Sequence, residues 1–119
     1  MYVMISIATF RTMTLSFPET MEQPHFEKTS FRIRKKIFAT LDKKPHIAVL
    51  KLSLIDQSVF CDINKNIIYP VESEWGRQGW TKVELKKINR NILKDILTTA
   101  YCLVALAQFS AKYKIKLNR

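Results

Sequence analysis

Glycine is nearly missing from this chain. Only two occur among 119 residues, where average usage would place about eight. A chain so poor in glycine has no phosphate-cradling glycine loop, which removes the usual visible site for nucleotide-dependent chemistry. Cysteine is equally scarce. Cys61 and Cys102 have no paired spacing, so neither a disulfide framework nor a zinc knuckle is indicated. Long apolar runs are lacking too. The segment from Ile96 to Phe109 is interrupted by Thr98, Thr99 and Gln108 and is too short to span a bilayer. The apolar start, Met1 to Phe10, carries no basic side chain and runs into Arg11 rather than a small-residue cleavage site. No signal peptide is therefore expected, and the cytoplasm is the default compartment. Acid disappears after Asp95, while Lys112, Lys114, Lys116 and Arg119 follow.

Base, by contrast, is abundant. Twenty Lys and Arg against ten Asp and Glu give a formal charge of +10. Such a balance favours polyanionic partners: nucleic acid, an anionic membrane surface or an acidic protein. Hydrophobic residues make up 47% and charged residues 25%, values of an ordinary globular domain. The length suits one domain over residues 1–119, with a core that needs no metal or disulfide staple.

The patterning predicts a helix over residues 1–17, with Val3, Ile7 and Phe10 on one face, Met4 and Leu15 near it, and Pro18 as the stop. Glu19 to Pro24 reads as a loop. Phe31 and Ile33 alternate with Arg32 and Arg34, predicting a strand with one apolar and one cationic face. Lys35-Lys36 is the predicted turn. A second strand covers Ile37 to Leu41, with Ile37, Ala39 and Leu41 on one side. Asp42 to Pro45 has turn chemistry, and Ile47 to Leu52 reads as a central strand. Ser53 offers an N-cap with Asp56 three residues on, opening a helix with the stripe Ile55, Val59 and Ile63. Ile67 to Tyr69 and Trp80 to Leu85 read as extended. Asn89 or Asn91 can cap a closing helix whose stripe is Ile92, Ile96 and Leu103 with Leu93 or Ala100. After it, Gln108 to Arg119 alternates Lys with Tyr113, Ile115 and Leu117, the pattern of an added strand, a docking arm or a frayed end. Strands joined by short turns are antiparallel, so the predicted class is α+β, with helices on one face of the sheet.

Both glycines fall in one hexapeptide, Trp75-Gly76-Arg77-Gln78-Gly79-Trp80, bracketed by the only two tryptophans. Glycine is needed where the backbone takes positive φ or passes close to another group. One reading is a tight hairpin loop with Trp80 anchored in the core. The other is a rigid loop presenting Arg77 and Gln78, whose donors suit phosphate and base edges.

Pro24-His25-Phe26, Phe31 to Arg34, Lys36 to Leu41, Leu50 to Leu52, the Trp75–Trp80 hexapeptide and Tyr101 with Leu103-Val104 in the closing helix occur in an order and spacing that resemble the MmcQ/YjbR family. The resemblance covers residues 10–108. It implies a CyaY-like α+β fold, a curved antiparallel sheet packed between N-terminal, middle and C-terminal helices. It also implies DNA binding through a "double wing" of hairpin loops, with no defining enzymatic activity. Arg34-Lys35-Lys36 would be one wing, and the Trp75–Trp80 loop lies near the second. The family often has glycine in the first turn. Arg-Lys-Lys there makes a type I′ turn less comfortable, so a wider and more cationic wing is expected.

Arg32, Arg34, Lys35 and Lys36, with Arg77 and Gln78, are thus the candidate nucleic-acid contacts. The same residues on a merely solvated sheet face and turn would look no different in sequence. An acidic protein is the alternative partner for this basic surface. Frataxin, which shares the CyaY-like fold, carries iron on an acidic ridge. Here Glu19, Glu22 and Glu27 are scattered and Glu72 and Glu74 lie beside Arg77, so the convergent oxygens a hard cation needs are not in view. His25 and His46 lack partner ligands at metal spacing, and nothing brings either near Cys61 or Cys102 as a nucleophilic pair. No metal, no cofactor and no enzymatic activity are expected.

Overall fold

The computed structural model describes residues 4–42 and 46–117, with side chains through residue 105. The elements run α1 (Ile7–Leu15), β1 (Thr20–His25), β2 (Lys28–Ile33), β3 (Lys36–Asp42), β4 (Ile47–Lys51), α2 (Leu54–Cys61), β5 (Ile68–Pro70), α3 (Glu74–Arg77), β6 (Trp80–Glu84) and α4 (Arg90–Leu117). All six strands form one antiparallel sheet in the order β1-β2-β3-β4-β6-β5. The α+β class and its antiparallel sheet are as the sequence predicts.

The core lies between this sheet and helices α1 and α4. Phe31, Ile33, Phe38, Leu41, Leu50 and Val83 are fully buried from the sheet, and Leu93, Ile96, Leu97 and Ala100 meet them from α4. Burial of each large side chain stabilises by roughly 1.5–3 kcal/mol. Phe10 of α1 meets Phe31 edge-on at 5.6 Å. Tyr101 joins the layers: its ring stacks on Phe17 at 4.7 Å, and its hydroxyl donates to the Pro18 carbonyl at 3.0 Å.

Several local expectations are corrected. The stretch taken for a loop after Pro18 is the edge strand β1. Its outer N–H groups need no ladder partner, so Pro24 is tolerated there. Arg11 of α1 bonds Glu22 at 2.8 Å and ties the strand to the helix. Helix α1 starts later than predicted, on a Ser6 cap that accepts from the Thr9 N–H. Val3 lies outside the described residues, and Met4 and Leu15 are exposed. In β3 a register shift opposite Phe31/Arg32 puts Phe38 into the core beside Ala39 and turns Ile37 to the other face. A bulge of this kind breaks the period-two pattern.

Helix α2 begins at the predicted Ser53 cap, which accepts from the Asp56 N–H at 3.1 Å, yet it is rotated. Ile55, Val59 and Ile63 are exposed, and Gln57 and Cys61 face inward. Asn89 caps α4 through the Ile92 N–H at 2.8 Å. That helix continues to Leu117, so the alternating tail is helical backbone through Leu117 rather than an added strand, and its last two residues lie outside the described ones. The turn proposed at Asp42 to Pro45 falls mostly outside the described residues.

Candidate functional site

Helices α1 and α4 cover one face of the sheet. The opposite face is open among the described residues. Its side chains follow from strand register: Val49 lies between Thr40 of β3 and Lys82 of β6, and Lys82 lies opposite Tyr69. Arg32 is opposite Ile37, His25 opposite Lys28, and Lys51 opposite Trp80. A cavity of about 350 Å³ opens here. Ile37, Thr40 and Val49 line it from the middle strands, Trp75, Trp80 and Val71 from the β5–β6 side, and His25, Lys28 and Lys82 add the polar groups.

Neither tryptophan is in the core between sheet and helices, which corrects the expectation for Trp80. Trp80 is half-buried on the open face, with the Lys51 ammonium 5.7 Å from its ring centroid. Trp75 is 60% exposed. The hexapeptide is not a hairpin loop either. Residues 74–77 make one helical turn, capped by the Ser73 hydroxyl accepting from the Trp75 N–H. Gly79, at φ 104°, then turns the chain into β6.

Both glycines are dictated by close backbone approach. A Cβ on Gly76 would sit 1.9 Å from the Val71 carbonyl oxygen, and one on Gly79 would sit 1.8 Å from that of Leu52. The buried Gln57 amide donates to the carbonyls of Gly76 at 3.0 Å and Trp80 at 3.2 Å and to the Thr81 hydroxyl at 3.1 Å. Lys51 donates to the Gln78 carbonyl. Gln57 escaped sequence reading because a glutamine flanked by Asp56 and Ser58 reads as part of a polar, outward face.

The hairpin between β2 and β3 is tighter than expected. Ile33 pairs with Lys36, so Arg34 and Lys35 are the two turn residues and Lys36 opens β3. Arg34 takes φ 59°, a conformation that glycine adopts without strain and arginine does not. It is paired with Glu19 at 3.3 Å, both side chains more than half exposed. Arg32 leaves the tip altogether. It lies on the open face, where its Nε donates to the Ser30 hydroxyl at 3.0 Å.

Strand order sets the spacing of the two basic regions. The Arg34-Lys35 tip, the Lys51 end of β4 and the Trp80 start of β6 all lie at one end of the sheet. Strands β3 and β6 are two strand spacings apart, about 10 Å. Arg77 is 82% exposed at that end, with Glu74 one turn away at 3.4 Å. Gln78 is exposed beside it.

Glu84, the acid beside Lys82 on this face, is engaged. The Tyr69 hydroxyl donates to Glu84, and burial, then this bond and the Glu84 charge, push the phenol up to about 12. Burial also raises both thiols; at Cys61 the Asp62 charge adds to it and Lys65 partly opposes it. Cys102 sits on α4 and His25 on the open face, so the sheet lies between them. No group of three or more His, Cys, Asp or Glu converges to hold a metal among the described residues. No described helix is long and apolar enough to cross a membrane.

Comparison with known proteins fits this architecture. The YjbR family model matches residues 15–103. The chain belongs to the YjbR family. Its fold is shared with the crystal structure of Deinococcus radiodurans protein DR2400, a DUF419 domain. The TM-score is 0.72 at 21% identity, over 85% of this chain and 79% of that one. No curated protein matches the chain.

Proposed function

We propose that this YjbR domain is a non-enzymatic, cytoplasmic module that binds DNA weakly and with little regard to sequence. The observation that carries the reading is the gathering of Arg34, Lys35, Lys36, Lys51 and Arg77 at one end of the sheet. The net charge of +10 draws a polyanion to the molecule, and a cluster of this kind suffices for phosphate contact. Phosphate contacts position a duplex without reading it, hence the weak sequence preference. Two free cysteines suit a reducing compartment.

Binding to a fluorescent duplex across a salt series tests this. With about four phosphate contacts, log affinity falls against log salt with a slope of about −3.6. A salt-independent affinity, or no binding at low salt, overturns the reading. A second reading is a protein-interaction module in which the same basic surface meets an acidic partner; the exposed apolar row of Leu54, Ile55, Val59 and Ile63 on α2 and the turn after it offers such a partner further contact area. An acidic peptide that displaces the duplex at equal charge concentration favours that reading.

A further inference from the structure

We infer that the open sheet face is a seat for unpaired bases of single-stranded nucleic acid, with Trp75 as the stacking surface, Trp80 as a wall of the seat and Lys28, Lys51 and Lys82 as phosphate contacts. The inference deepens the nucleic-acid reading and rests on it. Three observations carry it.

The first is exposure. A tryptophan ring that is 60% exposed leaves a large apolar surface in water, and a second ring shares the same cavity. Aromatic faces that are wet on one side are what successive bases stack on. The second is size and shape. A cavity of about 350 Å³ is at the lower end of the range of about 300–1,000 Å³ that holds small molecules, the scale of a nucleotide unit. It is lined by Ile37, Val49 and Val71, apolar surface that suits a flat ring and gives a phosphate nothing.

The third is charge. Lys28 and Lys82 line the cavity, and Lys51 stands over the Trp80 ring. No carboxylate lines it. Of the acids that register places on this face, Glu84 accepts from Tyr69, and Asp42 lies at the far end of β3. An apolar trough with cations at its rim matches a strand that alternates flat bases with phosphates. In a duplex the bases are stacked on one another and cannot reach Trp75, so the preference is for single strands.

Intrinsic tryptophan fluorescence, titrated at low salt with a short oligothymidylate, an oligouridylate and a duplex of equal length, tests this. Saturable quenching by the single strands and none by the duplex is expected. The two single strands separate DNA from RNA as the source. Trp75→Ala is expected to weaken single-strand binding about 5- to 150-fold, the range for loss of one stacking ring. Duplex affinity and melting temperature should be little changed, since the ring is mostly exposed. Lys82→Ala, with its ammonium at the same cavity, should weaken single-strand binding and reduce its salt slope by about 0.7.

Single-strand binding without quenching, or a Trp75→Ala variant that binds single strands as tightly as the parent, overturns the inference. The duplex arm then still reports on the broader reading. Failure of both strand forms to bind overturns both. Free thymidine monophosphate or an acidic peptide that quenches as tightly as the oligonucleotide reassigns the cavity and overturns the inference.

Discussion

The Gln57 side-chain amide donates to the Gly76 carbonyl at 3.0 Å, from a helix nineteen residues earlier in the chain. The same nitrogen reaches the Trp80 carbonyl and the Thr81 hydroxyl. An amide nitrogen has two protons, so one is shared among these acceptors. This single side chain fixes the turn that carries Trp75 and Arg77 to the helix that precedes it.

Removing that donor should loosen the turn. Gln57→Leu keeps the approximate volume and deletes the amide. The Gly76 and Trp80 carbonyls retain backbone donors from Gly79 and Val71, so the loss is expected to be about 1–2 kcal/mol, the lower part of the range for a broken buried bond. Urea unfolding measures it. A change within about 0.5 kcal/mol would mean that the turn holds itself.

Gly79 tolerates less. Alanine there combines φ 104° with a Cβ 1.8 Å from the Leu52 carbonyl oxygen, and Leu52 N–H bonds the Gly79 carbonyl at 3.0 Å. Gly79→Ala should destabilise by well over about 1 kcal/mol, because two backbones must part. Gly76→Ala, without the positive φ, should also destabilise through its approach to Val71. Normal melting of either variant would contradict the close packing.

Much of this was readable in the residues, and the exceptions have physical causes. The concentration of both glycines in one hexapeptide marks a backbone constraint, because only glycine can meet another carbonyl so closely. Ser53 and Asn89 announce their helices, since cap chemistry is local. Strand β1 is obscured because edge strands admit Pro24 and charge. The inward face of α2 is set by what Gln57 can bond across the fold, a tertiary fact invisible to the Ile55, Val59 and Ile63 period. The cationic side of the sheet is half legible. Alternation gives Arg32 its face, but the bulge at Phe38 moves Ile37 to that face, and strand order alone brings Trp80 and Lys82 beside Val49.

Tyr69 makes stability depend on pH on the alkaline side. Its folded pKa is raised from 10.0 to about 12, so between those values the unfolded chain loses this proton first. The folded state then holds more protons, and stability falls with rising pH. The contribution is complete below pH about 10 and lost by about 12. Tyr69→Phe should flatten this part of the alkaline decline in a melting-temperature profile. An unchanged slope would detach Tyr69 from it.

Arg77 is expected to act on ligands more than on the fold. Its partner Glu74 is 3.4 Å away, and both side chains are mostly exposed, so screening leaves the pair worth about 0.5 kcal/mol or less. A double-mutant cycle of Arg77→Ala with Glu74→Ala measures the coupling. A value above about 1 kcal/mol makes Arg77 a brace for the turn. Below that, Arg77→Ala should lower duplex affinity while urea unfolding stays within about 0.5 kcal/mol of the parent.

Arg34 separates turn strain from binding. At φ 59° an L-residue carries a penalty of roughly 1–2 kcal/mol that glycine avoids. Against this, Arg34→Gly adds backbone freedom to the unfolded chain. It also loses the exposed Glu19 pair at 3.3 Å, worth about 0–1 kcal/mol. The fold should therefore be as stable as the parent or gain up to about 1 kcal/mol. Duplex binding should weaken across all sequences alike, because a phosphate contact carries no sequence information. If Arg34 supplies one of about four contacts, the salt slope should shrink from about −3.6 to about −2.7. The two readouts move in opposite directions only if this residue serves the ligand at the expense of the turn. A variant less stable by more than about 1 kcal/mol, with an unchanged salt slope, would make Arg34 a structural residue held by Glu19 and remove the hairpin tip from the binding surface.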